Sequence, residues 1–531
     1  MDWSQLTPDL LFLVLKLLKP RERLTCSLVC RTWYDAISMY PILLNDYVVK
    51  INPRSAREVQ RLIGASKRQF RQLYVELEAN DYSVGECVTE AVHRVDIQFL
   101  WLIGEPEHVK FFMESQTTMF ASLTELRLEF SANTSWEVYA SLNVFLENLK
   151  EFHYLQIYGP NPEQVIFNLI APKLEKAYIL LDSLANEEIA YWEDPLIELR
   201  ECTQLKSLYV DLKGSMWDNF FDVERVHLER LVLRRAIDEI DTRDWNRLFI
   251  NMPNLRYVEF ICSTNAMLTS LRRYCNKIQS LQITGFNFYD GNFASCLSMP
   301  TLEQVHLDGW MNGGIFTGET MLQLNNLKEL TWKYAELTAA MGSFRLVTPA
   351  LKSVTLRGCD YRKFLLHVEG NRLESIDLDC YDDQWQEIPS FFACLDNLQQ
   401  LTLNTNTKAL RLVQTIGPLA QLKRLEVFCY TERNENECNA LFAGLCAICP
   451  QLEWFSLVKE NLGELILSCE CLLELKQMRA LKYLTLRYIT IRDAKHEIRI
   501  DNLIHLEVSS CVLSGSGESF PIVSANVGNV L

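Results

Sequence analysis

Eight histidines, 17 cysteines and 68 carboxylates are the side chains of this 531-residue sequence that could do chemistry. Acid–base or nucleophilic catalysis needs a nucleophile and a base within reach of one another, and a zinc site needs three or four ligands at set spacing. The histidines are dispersed, with no helix-spaced pair. Cys446-Ala-Ile-Cys449 has the spacing of half a zinc site, but no second pair of ligands is placed to complete it. No phosphate-cradling glycine loop and no G-x-S-x-G turn occurs. The sequence therefore predicts no catalytic residue, no metal and no cofactor, and a core-packing role for Cys446 and Cys449. The residue types that stand out belong to binding. Tyr178, Tyr209, Tyr257, Arg424, Trp454, Tyr483 and Arg487 are candidate contacts for a protein substrate, because Tyr, Trp and Arg dominate protein interfaces.

What would position these residues is a phrase, L-x-x-L-x-L, in which Ile, Val or Phe can replace Leu. Clear copies are Leu351-Val354-Leu356, Leu398-Leu401-Leu403 and Leu503-Leu506-Val508. Eighteen copies run from Phe70 to Leu503, about 25 residues apart, with the poorest matches at Phe70, Val92 and Leu149. Each copy reads as a short strand whose fourth and sixth residues point inward and whose third, fifth and seventh point outward. One such unit cannot bury its apolar face, whereas stacked units share a core. The expected fold class is α/β: a leucine-rich-repeat solenoid over residues 70–511, with a parallel inner sheet and outer helices. The outward slots include Tyr74, Asp96, Arg127, His153, Tyr178, Tyr209, Arg230, Tyr257, Arg424, Trp454, Tyr483 and Arg487. Pro172, Pro253, Pro300, Pro349 and Pro450 stand two residues before a phrase and read as stops for the outer helices. Asn161-Pro162-Glu163 reads as the start of one such helix, and 436–449 as another. The acidic, aromatic stretch 186–194 fits a longer outer helix better than a separate contact surface.

The net charge of −16 argues against a nucleic-acid partner, which calls for a basic surface. The charge is uneven, with residues 1–70 at +5 and the remainder at −21. Scattered cysteines, an odd number of them, predict reduced thiols in the cytoplasm or nucleus. The start lacks a basic region ahead of its apolar run, so no secretion signal is expected. The run Leu10–Leu18 contains Lys16 and is too short to span a membrane, so no membrane partner is expected.

Residues 1–44 do not carry the phrase. Thr7-Pro8-Asp9 predicts a helix start, with Thr7 as the cap, followed by a helix apolar almost all round. A second helix is expected over 21–28 and a third over 30–39. Three short helices need a neighbour to cover so much apolar surface. The residues Leu6-Thr-Pro8-Asp-Leu10-Leu11, Leu17-Leu18, and Leu24 through Leu28-Val29-Cys30-Arg31-Thr-Trp33 resemble an F-box. With the repeats, the chain resembles the F-box and leucine-rich-repeat family of substrate receptors. That resemblance implies docking on a Skp-type adaptor, and through it a cullin, by Leu6, Pro8, Leu10, Leu13, Leu17, Leu24, Leu28, Val29 and Trp33. It implies a non-catalytic subunit of a Skp–cullin–F-box ubiquitin ligase whose inner face holds the target protein. The alternative reading is a leucine-rich-repeat scaffold or inhibitor whose N-terminal helices only cap the repeats. Residues 45–69 are expected to be a rigid helical linker, opened by a capping box at Ser55 and Glu58. The tail 512–531 either folds back over the last strand or stays disordered.

Overall fold

The computed structural model describes residues 6–40, 43, 47–65, 70–77, 97–115, 117–130, 140–157, 165–182, 196–211, 223–234, 242–261, 265–285, 293–309, 320–333, 344–358, 364–367, 372–380, 396–405, 419–429, 442, 445–460, 465–468, 470–492, 498–514 and 522–523. It is a mixed α/β fold, with parallel strands and few helices. The chain divides into two compact units, Met1–Phe260 and Ile261–Leu531.

The first unit opens with α1 (Pro8–Leu17), α2 (Pro20–Ser27) and α3 (Arg31–Met39). Leu11 and Leu15, four residues apart, are fully buried with Ala36, Ile37 and Leu43. Thr7 is the N-cap of α1, but its side chain makes no capping bond; its carbonyl accepts from Leu11 N–H instead. The start of α2 is closed by Glu22, whose carboxylate accepts the Lys19 N–H at 2.7 Å. Tyr47 packs partly against the helical core and its hydroxyl donates to the Pro20 carbonyl. The next residue begins strand Val48–Ile51, so the segment expected only to connect supplies the first strand. Helix α4 (Ala56–Ala65) follows. Its lead-in box lies three residues upstream of the expected one: Asn52 N–H donates to Ser55 Oγ at 3.2 Å and Ser55 N–H to Asn52 Oδ1 at 2.9 Å.

From Val48–Ile51 onward, each main strand of this unit pairs in parallel with the next. They are Gln72–Leu77, Phe99–Gly104, Glu125–Phe130, Glu151–Ile157, Lys176–Asp182, Ser207–Val210, Arg230–Leu233 and Tyr257–Ile261. The second unit repeats the plan with Ser280–Thr284, Gln304–Asp308, Glu329–Lys333, Ser353–Arg357, Ser375–Cys380, Gln400–Thr405, Arg424–Cys429, Trp454–Lys459, Tyr483–Arg487 and His505–Ser509. The inward residues of the phrase are buried in most copies, for example Leu351, Val354 and Leu356; in the last copy Leu503 is buried but Leu506 and Val508 only partly so.

Three expectations change. The copy placed at Val92 lies outside the described residues, and the strand there is built on Ile97-x-x-Leu100-x-Leu102, all three buried. Pro253, Pro300 and Pro450 do follow helices that end two or three residues earlier, but Pro172 and Pro349 follow strands. The leading N–H groups of Leu174, Leu255, Leu302, Leu351 and Leu452 donate to the carbonyls of Ala171, Met252, Met299, Thr348 and Cys449. Each proline is thus the second residue of a tight turn that feeds the strand, the position its fixed φ suits. Finally, the return segments are not all helices. Helices Pro106–Ser115, Thr242–Ile250, Asn265–Tyr274 and Phe293–Leu297 occur. Elsewhere short strands form their own parallel ladders: Ala140–Phe145 with Val165–Ile170 and Leu196–Arg200, Thr320–Gln323 with Phe344–Val347 and Phe364–His367, and Leu465–Ser468 with Ile489–Arg492 and Val512–Ser514. Segments such as Val165-Ile-Phe-Asn-Leu-Ile170 are short and alternating, which favours strand over helix. The expected helix start at Asn161 and the stretch 186–194 lie outside the described residues. Of 436–449, Leu445–Ile448 is helical. In the tail, Ile522–Val523 pairs in parallel with Ile498–Arg499.

Candidate functional site

The helical module shows two apolar faces. Leu11 and Leu15 line the inner one. Leu10, Leu13 and Leu17, at spacings of three and four, line the other and are 52%, 57% and 87% exposed. Leu24, Leu28 and Val29, at the end of α2 and the turn after it, are also exposed, Leu28 at 84%. Of the nine residues expected at an adaptor contact, these six stand in solvent. Leu6 and Trp33 instead pack partly against the module's own core, so they support the surface from beneath. Pro8 opens α1.

The face is held in shape by Arg23, which is buried. Its Nε donates to the carbonyls of Leu15 and Leu18, both at 3.0 Å, and its Nη1 donates to that of Leu43 at 3.1 Å. The cation thereby meets the carbonyls at the negative end of α1. Tyr40 packs against Phe12, its ring tilted by 37° with centroids 4.6 Å apart, and its hydroxyl donates to Asp9 at 3.0 Å.

Residues 3–45 match the F-box domain model. The match covers under a tenth of the chain, and it coincides with the three helices and their exposed leucines. A comparison of the whole chain with curated proteins finds no match. The F-box is followed within unit one by the sheet that carries the second set of candidate residues.

On that sheet, strand register collects one slot per strand into a row. In the first unit the row reads Lys50, Tyr74, Trp101, Arg127, His153, Tyr178, Tyr209, Val232 and Glu259. Tyr178 stacks on His153 with centroids 4.5 Å apart and sits 6.3 Å from Tyr209. Tyr257 is not in that row. It lies in the flanking one, under Arg230 at 4.0 Å, and its hydroxyl donates to Glu259 at 2.9 Å. Burial, then the bond to Glu259, pushes the Tyr257 phenol above its ordinary range. In the second unit Arg424, Trp454 and Tyr483 are neighbours in one row. The Arg424 guanidinium lies 4.5 Å over Trp454, which stacks on Tyr483 at 4.9 Å. Arg487 stands in a different row and pairs with Glu507.

Trp101, with Phe99 and Ile103 on the same strand, was not anticipated. The slip of the phrase to Val92 put Asp96 in that outward slot, and Asp96 lies outside the described residues. Spacing carried the missing signal: Ile97 stands 27 and 26 residues from its neighbours Phe70 and Leu123, close to the period of the series.

Glu125, Glu151 and His153 each bring a potential metal-ligating atom within 4.8 Å of the others. Each carboxylate already has a cationic or hydrogen-bonding partner. Glu125 accepts from Arg127 at 2.7 and 2.8 Å, and Glu151 from His153 at 2.9 Å and Lys176 at 3.2 Å. Burial would raise the Glu151 pKa, but these two donors outweigh it and hold the carboxyl below its usual range. The trio is an ion-pair network as it stands. Cys449 is fully buried, and burial pushes its thiol up to about 12, so the CxxC places a protonated sulfur in the core.

Proposed function

We propose that the chain is the substrate-recognition subunit of a Skp–cullin–F-box ubiquitin ligase. In this reading the F-box docks a Skp-type adaptor through Leu10, Leu13, Leu17, Leu24, Leu28 and Val29, and the strands stack as a leucine-rich-repeat solenoid whose inner face holds a target protein. The observation that carries it is the second apolar face of α1. A monomeric three-helix module rarely leaves six large apolar residues in water without a partner to cover them. The inner face supports the second half, because several of its outward slots, Tyr178, Tyr209, Arg424, Trp454 and Tyr483 among them, hold Tyr, Trp and Arg where solvated filler would be Ser, Thr and Lys. The subunit performs no bond-making itself. It raises the effective concentration of target near the ubiquitin-charged enzyme, in the cytoplasm or nucleus.

The test is co-expression with a Skp adaptor followed by size-exclusion chromatography. A one-to-one complex is expected, lost in the Leu17→Asp/Leu28→Asp variant while its circular dichroism and melting temperature hold. A wild-type protein that elutes apart from the adaptor would turn the reading to the free-standing scaffold.

A further inference from the structure

The two units offer an internal comparison. The first-unit row holds Tyr74, Trp101, Arg127, His153, Tyr178 and Tyr209 before it reaches Val232 and Glu259, whereas the row at the same place in the phrase in the second unit reads Gln282, His306, Thr331, Thr355, Asp377, Thr402, Glu426, Ser456, Thr485 and Glu507, with no Tyr, Trp or Phe. Both sets sit on parallel strands in register. Polar residues without a Tyr, Trp or Phe suffice for the second row, so the aromatic content of the first row serves something other than strand pairing.

Most of that row closes on itself. His153 and Tyr178 lie nearly parallel, 13° apart, and cover one another's faces. Tyr74 and Trp101 do not. Their planes meet at 78° with centroids 5.1 Å apart, edge against face, so the two rings form a corner. In the adjoining row, Glu76, Ile103 and Glu129 stand on three successive strands. The two carboxylates are therefore about 10 Å apart with an apolar residue between them. Both act on Tyr74: burial raises its phenol pKa first, and the negative charges of Glu76 and Glu129 raise it further. The corner thus has a π face and two carboxylates. The cations nearby are Lys50, 5.1 Å over Tyr74, and Arg127, 5.9 Å over Trp101 and already bound to Glu125. Among the described residues, the three carboxylates Glu76, Glu125 and Glu129 stand against these two cations, one positive charge short.

We propose that this corner takes an arginine or lysine side chain from a basic segment of the partner protein, seated against Tyr74 and Trp101 between Glu76 and Glu129. An aromatic face flanked by carboxylates attracts a cation by its quadrupole and by charge together, and partial burial strengthens both. The inference rests on the reading of the inner face as the target-binding surface, and it names the chemistry of that target.

The experiment is fluorescence anisotropy with labelled nona-arginine and nona-glutamate, titrated with the full-length protein with and without the Skp adaptor. Nona-arginine should bind, more weakly as salt rises, and nona-glutamate should not. The Glu76→Gln/Glu129→Gln variant and, separately, Trp101→Leu should each weaken nona-arginine by about tenfold. The Glu470→Gln/Glu474→Gln variant removes the same charge from the second unit and should leave binding unchanged. Equal losses in the two double variants would reduce the effect to general acidity and overturn the proposal, as would nona-arginine binding no better than nona-glutamate. The peptide readout does not need the adaptor. Failure of adaptor docking with peptide binding intact removes the ligase reading alone, and the converse removes only the basic-segment proposal.

Discussion

Arg23 Nε donates to the backbone carbonyl of Leu15 at 3.0 Å, although Arg23 is only 8% exposed. The same guanidinium reaches Leu18 and Leu43, so one side chain of α2 ties the end of α1 to the chain that follows α3. A buried cation is tolerated here because carbonyl dipoles surround it. Replacing it with Met keeps the stem and removes the donors, leaving carbonyls without partners. Arg23→Met is expected to destabilise the F-box by about 2–3 kcal/mol. Hydrogen exchange should show the loss as faster exchange across α1 to α3, with the sheet amides unchanged.

Leu15 and Leu17 separate folding from docking. Leu15 is fully buried, and Leu15→Ala should cost about 2–5 kcal/mol of module stability. Leu17 is 87% exposed, and Leu17→Ala should leave stability within about 0.5 kcal/mol. Adaptor binding, measured by calorimetry, should fall by about 2 kcal/mol for Leu17→Ala if that side chain anchors the interface. Trp33→Ala is a poorer probe than its exposed neighbours, because Trp33 packs on the core and its loss mixes the two effects.

Burial pushes the thiols of Cys275, Cys429 and Cys449 up to about 12 and that of Cys202 to about 11, from an ordinary 9.0. In the unfolded chain these groups lose their protons near the ordinary value. The folded state binds more protons above that pH, so stability present below about pH 9 is lost as pH rises towards 12. Each such thiol steepens the loss by about 1.4 kcal/mol per pH unit. Denaturant midpoints measured between pH 8 and 10.5 should fall less steeply for Cys429→Ala than for the parent. Equal slopes would mean that Cys429 titrates in the folded protein as it does unfolded.

Strand ends carry residues in the left-handed region. Gly285 and Gly358 have φ of 69° and 62°, and Tyr488 takes the same conformation at 58° with its side chain 55% exposed. A Cβ in this region costs about 1–2 kcal/mol. Gly358→Ala is therefore expected to destabilise the second unit by about 1 kcal/mol, with its N–H still donating to Asp379. Tyr488→Gly should be neutral or slightly stabilising in a thermal melt. A large loss there would show that the Tyr488 side chain holds more than it strains.

The parallel strands were legible because their inward leucines recur with few interruptions, as at Leu398, Leu401 and Leu403. The helical module was legible because Leu-Val-Cys-Arg-x-Trp is a dense pattern. The failures have physical causes. From Val92 to Ile103 several apolar residues satisfy the phrase in more than one register, so local pattern alone could not choose Ile97, and Trp101 was lost with it. Proline before a phrase reads equally as a helix stop or as the second residue of a turn, and only the hydrogen bonds of Leu174 or Leu351 separate the two. The outer ladders were missed because four to six alternating residues, as in Thr320–Gln323, carry too little periodicity to distinguish strand from helix. At the candidate surface, composition pointed to Trp454 and Tyr483, and place in the phrase already separated Tyr257, the third residue from Leu255, from Tyr178, the fifth from Leu174; the observed register keeps phrase aligned with phrase, so they fall in different rows.

Tyr47 has its ring among the F-box helices, its hydroxyl on Pro20, and its peptide bond leading directly into Val48–Ile51. Tyr47 therefore anchors the first strand to the helices at the residue just before it begins. In a ligase, such an anchor would make the choice of modified lysine a matter of aim: only those that the seated target happens to turn towards the incoming donor would fall within reach.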